Sequence, residues 1–242
     1  MLNLGGRFVN QWAYQSPSGV VLVDTGYQNG YPRFRRRLAR HGIPLSQVRY
    51  VFLTHAHDDH AGFLNEILRD APDCRVILSP RSIPVLRRGQ NSFSGGCTSR
   101  LALRFCRWMA AAGHGSHRFP PLEERFLSRC IPVTGESRAS LEAQLGGQIV
   151  ETPGHTADSL SLLLEDGSLF CGDAAMNGFP SQHRITIWAE DPQAFADSWQ
   201  TILRLRPSLL YPGHGSPFPP AELARNLDFA RQMPCYPLPQ TE

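Results

Sequence analysis

The chain has 242 residues, 41% hydrophobic and 19% charged, with a formal net charge of +3. That length can bury a sizeable core. The small net charge names no acidic partner, and the absence of any run of eighteen apolar residues argues against a membrane span. All 24 basic residues are arginine, so chemistry that needs a lysine, such as a Schiff base or a phosphate-loop lysine, is excluded.

The N-terminal stretch MLNLGGRFVNQW lacks the long apolar segment and small-residue cleavage site of a secretory signal, so a cytoplasmic protein is expected. Six cysteines (74, 97, 106, 130, 171 and 235) are scattered without a CxxC pair, which argues against a disulfide framework and against a cysteine zinc site.

Taken in chain order, FVNQWAY (8–14) and VVLVDTG (20–26) read as two strands joined by a turn at SPSG. PRFRRRLARHG (32–42) sets Phe34 and Leu38 on one face and arginines on the other, which predicts an amphipathic helix closed by Gly42. VRYVFL (48–53) is the next strand, DHAGFLNEILRDA (59–71) the next helix and CRVILSP (74–80) another strand.

Residues 81–129 break this rhythm. SRLALRFCRWMAAAG looks helical, but its flanks GQNSFSGG and GHGSHRFPP are turn-rich, so the region is expected to be a helical insertion covering the active site of a single domain, 1–242. Nine arginines fall between Arg81 and Arg129, interleaved with Leu101, Leu103, Phe105, Trp108 and Met109, the pattern of a cover helix with a solvated arginine face. Regularity then resumes. QIVETPG (148–154), SLSLLLE (159–165), SLFCGD (168–173) and SLLYPG (208–213) read as strands, while PQAFADSWQTILRL (192–205) and PAELARNLDFARQM (220–233) read as helices. Strand clusters in both halves, each followed by helices, suggest two similar layers around one core.

The chemistry concentrates in THAHDDHAG, where three histidines and two aspartates follow an apolar strand. Zinc and its neighbours take imidazole nitrogen and carboxylate oxygen at about 2 Å, four or five donors to an ion. Side chains alternate along a strand, so His55 and His57 point the same way, whereas Asp59 and His60 turn toward a second position as a helix begins. Four ligands are too few to close two ions in a cluster. Further donors are therefore expected at later strand ends, and His155, Asp173 and His214 each follow an apolar run and a glycine. Asp58 reads as a helix N-cap.

HAHDDH resembles the HxHxDH signature of the metallo-β-lactamase superfamily, and VDTG, PGHT, CGDA and PGHG resemble its other motifs in the same order. The resemblance covers nearly the whole chain outside 81–129. It implies an α/β fold, the four-layer αβ/βα sandwich. It also implies that His55, His57 and His155 hold a first divalent ion and that Asp59, His60 and His214 hold a second, with Asp173 bridging both and Asp24 orienting nearby site residues. Zinc is the expected ion, with iron and manganese as alternatives, since imidazole and carboxylate accept all three.

Two ions sharing a water would produce a bridging hydroxide near neutral pH and polarise a carbonyl or phosphoryl oxygen. Asp59 is the expected catalytic proton carrier. The expectation is a metal-dependent hydrolase acting on a carboxylic ester, lactone or thioester, nearest to lactonase and glyoxalase II-like hydrolases rather than to a true β-lactamase. Family β-lactamases lack the bridging aspartate, and only 28 residues follow His214, too few for a glutathione-binding helical domain. Lactonases often carry a tyrosine shortly after the bridging aspartate, where this chain has Met176. A phosphodiesterase or nuclease of the same fold, or an iron-dependent oxidoreductase, is the alternative. The expected partner is a small-molecule substrate, not nucleic acid or membrane, and the oligomeric state is left open, a homodimer among the options. Phe93, His114, His117, Phe179, His183 and Trp188 are the expected substrate lining.

Overall fold

A computed structural model describes residues 1–238. Its strands begin with β1 (Leu2–Asn3), β2 (Trp12–Ser16), β3 (Gly19–Val23), β4 (Val48–Phe52), β5 (Arg75–Leu78) and β6 (Gly96–Cys97). They continue with β7 (Cys130–Pro132), β8 (Gly147–Glu151), β9 (Leu160–Leu164), β10 (Ser168–Gly172), β11 (Trp188–Ala189) and β12 (Leu209–Pro212). The helices are α1 (Tyr31–Arg40), α2 (Asp58–Ala61), α3 (Leu64–Asp70), α4 (Ser82–Arg88), α5 (Arg100–Met109), α6 (Arg138–Leu145), α7 (Pro192–Leu205) and α8 (Ala221–Arg231).

The chain divides into two compact units, one of residues 1–91 with 118–149, the other of residues 92–117 with the chain from Val150 onward. The stretch 81–129 is thereby shared out. Its outer parts belong to the first unit, and 92–117, with α5, belongs to the second.

In the first unit six strands form one sheet in the order β1-β2-β3-β4-β5-β7. The first three pair antiparallel, and β3, β4, β5 and β7 run parallel. Parallel strands bring their C-terminal ends to one edge, so the residues after β3 and β4 become neighbours. Val20 and Leu22 of β3, Val51 of β4 and Val76 of β5 pack with Phe34 and Leu38 of α1 and with Leu64, Ile67 and Leu68 of α3. This is the face that the spacing of α1 predicts.

The segment 59–71, expected as one helix, is two. α2 stops at Ala61 and α3 starts at Leu64. A Cβ at Gly62 would lie 2.5 Å from the Asp58 and Gly26 carbonyl oxygens and from the Gln28 nitrogen, so only glycine fits this corner. Asp58 also departs from expectation. His57 holds the cap position, Asp58 is the first helical residue, and its carboxylate accepts from Asn91 Nδ2 at 2.7 Å while Asn91 Oδ1 accepts from the Asp58 amide at 2.8 Å.

The second unit is built on the sheet β12-β10-β9-β8, in which β10 runs antiparallel to β9 and parallel to β12. Leu169 and Cys171 of β10 and Leu210 of β12 pack with Phe195, Trp199 and Ile202 of α7 and with Leu223 and Ala230 of α8. Helix α7 has the bounds its periodicity predicts. Asp191 caps it by accepting from the Ala194 amide at 3.0 Å, and Pro192 occupies the first turn, where no amide hydrogen is needed. A two-stranded ribbon, β11 with β6, completes the unit.

Candidate metal centre

Each unit carries its own set of donors. In the first, Val23 lies opposite Phe52 across β3 and β4, so Asp24 and Thr54 emerge side by side. Asp24 sits at φ 61°, a left-handed conformation that turns its carboxylate back toward the neighbouring strand. There Oδ1 accepts from the Thr54 amide at 2.7 Å, and Oδ2 accepts from the Thr54 hydroxyl at 2.8 Å. Oδ2 also takes the Nδ1 hydrogen of His60 at 2.8 Å. With Nδ1 committed as donor, Nε2 of His60 keeps a lone pair for a metal.

Thr54 does the same for His55. Its hydroxyl hydrogen goes to Asp24, leaving oxygen lone pairs to accept from His55 Nδ1 at 3.0 Å, so the lone pair of His55 is again at Nε2. The rings of His55 and His57 lie 4.6 Å apart between centroids, and those of His55 and His60 lie 4.1 Å apart. His55 and His60 are fully buried. An Asp59 carboxylate oxygen lies 3.8 Å from His60 Nε2. The Thr25 hydroxyl and amide both donate to the His60 carbonyl, at 2.8 and 2.7 Å, and fix the backbone of α2.

The second unit supplies three donors from three strand ends. Because β10 and β12 are adjacent and parallel, Asp173 and His214 leave the sheet together, and the Gly213 amide donates to the Gly172 carbonyl at 2.8 Å. His214 Nε2 lies 3.3 Å from Asp173 Oδ2, and His155 Nε2 lies 3.7 Å from the same oxygen. His155 is turned by the carbonyl of Trp188, which accepts from Nδ1 at 2.8 Å, with the Thr186 hydroxyl 3.3 Å away. Gly154, at φ 131°, sets this corner, and a Cβ there would overlap the backbone of Phe195. The donor set suits divalent ions. Three of the imidazoles, His55, His60 and His155, are oriented through Nδ1 and offer Nε2, and one carboxylate oxygen is flanked by two imidazole nitrogens.

Cys171 is fully buried and belongs to the core under α7. Burial pushes its thiol pKa far above the ordinary range, which removes it as a nucleophile.

The residues expected to line the substrate fall at several places in the second unit. Phe93 and His117 meet edge to face at 6.0 Å, and His114 lies exposed at the end of the turn after α5. Phe179 is exposed and packs edge to face on Phe105 at 6.0 Å. His183 stacks on Phe229 of α8, with centroids 3.8 Å apart and planes within 9°. Trp188 serves through its backbone carbonyl on His155, while its indole nitrogen donates to the Ser94 carbonyl at 2.9 Å.

Sequence reasoning missed Thr54, Thr186 and Asn91. Thr54 directly precedes the histidine signature and was open to suspicion, whereas the other two carry no local signal.

The metallo-beta-lactamase superfamily model matches residues 4–214. A beta-lactamase-like protein 2 homolog of Caenorhabditis elegans is 28% identical over 196 residues, which are 81% of this chain and 52% of that protein. The chain thus spans about half the length of that relative. Thioesterase pkgB of Emericella nidulans is 26% identical over 211 residues, 85% of this chain and 45% of that one. The crystal structure of TTHA1623 in a di-iron-bound form superposes with a TM-score of 0.63 at 23% identity, covering 93% of this chain and 96% of the other. No helix among the described residues is long and apolar enough to cross a membrane. The mixed α/β chain, with its ordered histidine and aspartate motifs, belongs to the metallo-β-lactamase superfamily.

Proposed function

We propose that the two donor sets work together as a dinuclear site and that the protein hydrolyses a carboxylic ester, lactone or thioester. In this reading His55, His57 and His155 hold one ion, Asp59, His60 and His214 hold the other, and Asp173 is shared. The observation that carries it is the Asp173 carboxylate oxygen lying between the Nε2 atoms of His155 and His214, at 3.7 and 3.3 Å. A carboxylate so flanked suits a shared ligand better than a terminal one. The thioesterase among the relatives supports an acyl-transfer reaction, and the di-iron neighbour leaves the choice between zinc and iron to experiment.

When bound, the ions supply an activated water and polarise the carbonyl that it attacks. The chain does the rest. Asp24, Thr54 and the Trp188 carbonyl hold three imidazoles in the tautomer that offers Nε2. The Asp59 carboxylate takes the proton released by the attacking water at one of its oxygens and returns it to the leaving oxygen or sulfur. Cys171 is not a candidate for that role. We find no need for a serine nucleophile either.

The test is hydrolysis of matched esters, lactones, thioesters and a bis-aryl phosphate diester by metal-quantified protein. Two ions per chain with turnover of an acyl substrate, abolished in Asp173→Asn, supports the reading. Turnover confined to the phosphodiester, or one iron per chain with oxygen consumption, overturns it.

A further inference from the structure

Helix α5 is unusual in what it leaves outside. Ala102 is its only buried residue, although it carries Leu101, Leu103, Phe105, Trp108 and Met109. At 100° per residue, Leu101, Phe105 and Trp108 fall within an arc of about 60°, and Arg100, Arg104 and Arg107 occupy a second arc about 100° away. Trp108 is 63% exposed, Phe179 78%, and the three arginines are exposed as well. None of these arginines makes an ion pair among the described residues. Between Asp73 and Glu123 the sequence contains no acidic residue and eight arginines.

The aromatic row does not end on the helix. Phe105 lies 6.1 Å from Trp108 and 6.0 Å from Phe179, between ring centroids. Phe179 follows Gly178, where a Cβ would lie 3.3 Å from Cβ of His214, and the Asn177 amide donates to the His214 carbonyl at 2.9 Å. Within the second unit, the segment that leads into Phe179 therefore lies against His214, and the Phe179 ring continues the aromatic row through Phe105 to Trp108. Exposed aromatic area of this kind is costly in water and marks a surface that is covered when at work.

We propose that this surface binds the non-reacting part of the substrate, and that the substrate is an anionic amphiphile, an ester or thioester joining an extended apolar group to at least one fixed negative charge. The inference rests on the hydrolase reading above and narrows it. Phe179, Phe105 and Trp108 take the apolar chain, and Arg104 and Arg107 take the anion, while the reacting carbonyl lies toward His214.

The probe is decanesulfonate, which coordinates metals poorly, used as monomer with the full-length protein in calorimetry, beside butanesulfonate and decyltrimethylammonium. Decanesulfonate should bind at least about tenfold more tightly than either control. Trp108→Ala and Phe179→Ala, both at exposed positions that folding tolerates, should each weaken it at least about fivefold. Arg104→Gln with Arg107→Gln should remove most of its salt dependence. In kinetics the same variants should raise KM for a decanoyl ester several-fold more than they raise it for a butyryl ester. Equal binding of all three probes, or variants that bind like the parent, overturns the proposal. So does association only with phosphatidylglycerol vesicles, which would make α5 a bilayer-docking helix. Binding without turnover of any ester sinks the hydrolase reading and leaves the surface standing as a binding site. Turnover indifferent to chain length and charge does the reverse.

Discussion

Asp24 and His60, 36 residues apart, are joined by a 2.8 Å hydrogen bond in which the imidazole Nδ1 donates to a carboxylate that also holds both the amide and the hydroxyl of Thr54. One buried carboxylate thus sets His60 directly and His55 through a single hydroxyl. Asp24→Asn should keep the fold, because asparagine tolerates the left-handed backbone and can still accept from Thr54. It should weaken metal affinity by roughly 10- to 100-fold, since an amide is a poorer partner for Nδ1–H. Metal titration alongside circular dichroism checks this. Unchanged affinity would make Asp24 a turn residue only.

Gly154 is the backbone counterpart in the second unit. Gly154→Ala would place a methyl group into the Phe195 backbone at a φ of 131°, which side chains rarely adopt. A cost of about 3 kcal/mol or more is expected from strain and overlap together. Denaturant unfolding measures it, and a variant within about 1 kcal/mol of the parent would contradict the geometry.

Arg129 stabilises the first unit in a way that charge alone does not describe. Its guanidinium donates to the carbonyls of Leu68, Ala71 and Cys74, at and just beyond the C-terminus of α3, and lies 5.5 Å from the centroid of the Phe126 ring. Arg129→Ala should cost about 2–4 kcal/mol by stranding those acceptors, and Arg129→Lys should recover only part, because an ammonium cannot reproduce the fork. Chemical denaturation of both variants distinguishes this from a simple charge effect.

The thiols should separate by reactivity. Burial pushes Cys74 up to about 12 and Cys130 up to about 11, so both stay protonated and slow at pH 8. Cys106 is held below the ordinary thiol range, chiefly by the hydrogen bond it receives from Cys97. Its thiolate therefore appears at lower pH than that of a free cysteine, and Cys97→Ala should move the onset of its alkylation to higher pH. Iodoacetamide rates followed by peptide mass spectrometry over pH 6–9 test this. An unmoved midpoint would show that the bond does not govern Cys106.

Much of the fold could be read from local pattern. Helix α7 has the bounds its periodicity predicts because its cap, its first-turn proline and its apolar face are all written within fourteen residues and the aspartate before them. The short helix α6 went unread, and α4 was not located within the helical stretch 81–129. α6 carries only a weak amphipathic signal, and α4 holds a proline within a seven-residue span. The division at Gly62 was hidden as well, since the steric reason lies in the backbone of residues 26 and 28.

By itself, the sequence singled out which side chains could serve as donors and that they stand past a strand end or in the first turn of the helix that follows one. Strand pattern, glycine and histidine are all short-range signals. Only the tertiary structure decided how those donors are aimed, because the partners of His55, His60 and His155 include a distant aspartate and a backbone carbonyl 33 residues away. A carbonyl oxygen is the same at every residue, so no reading of side chains could have picked out that of Trp188. The sequence reads α5 as a cover helix with only its arginine face in solvent, whereas Leu101 and Trp108 are exposed as well. Periodicity gives a helix its faces, and the folded chain chooses which of them to cover.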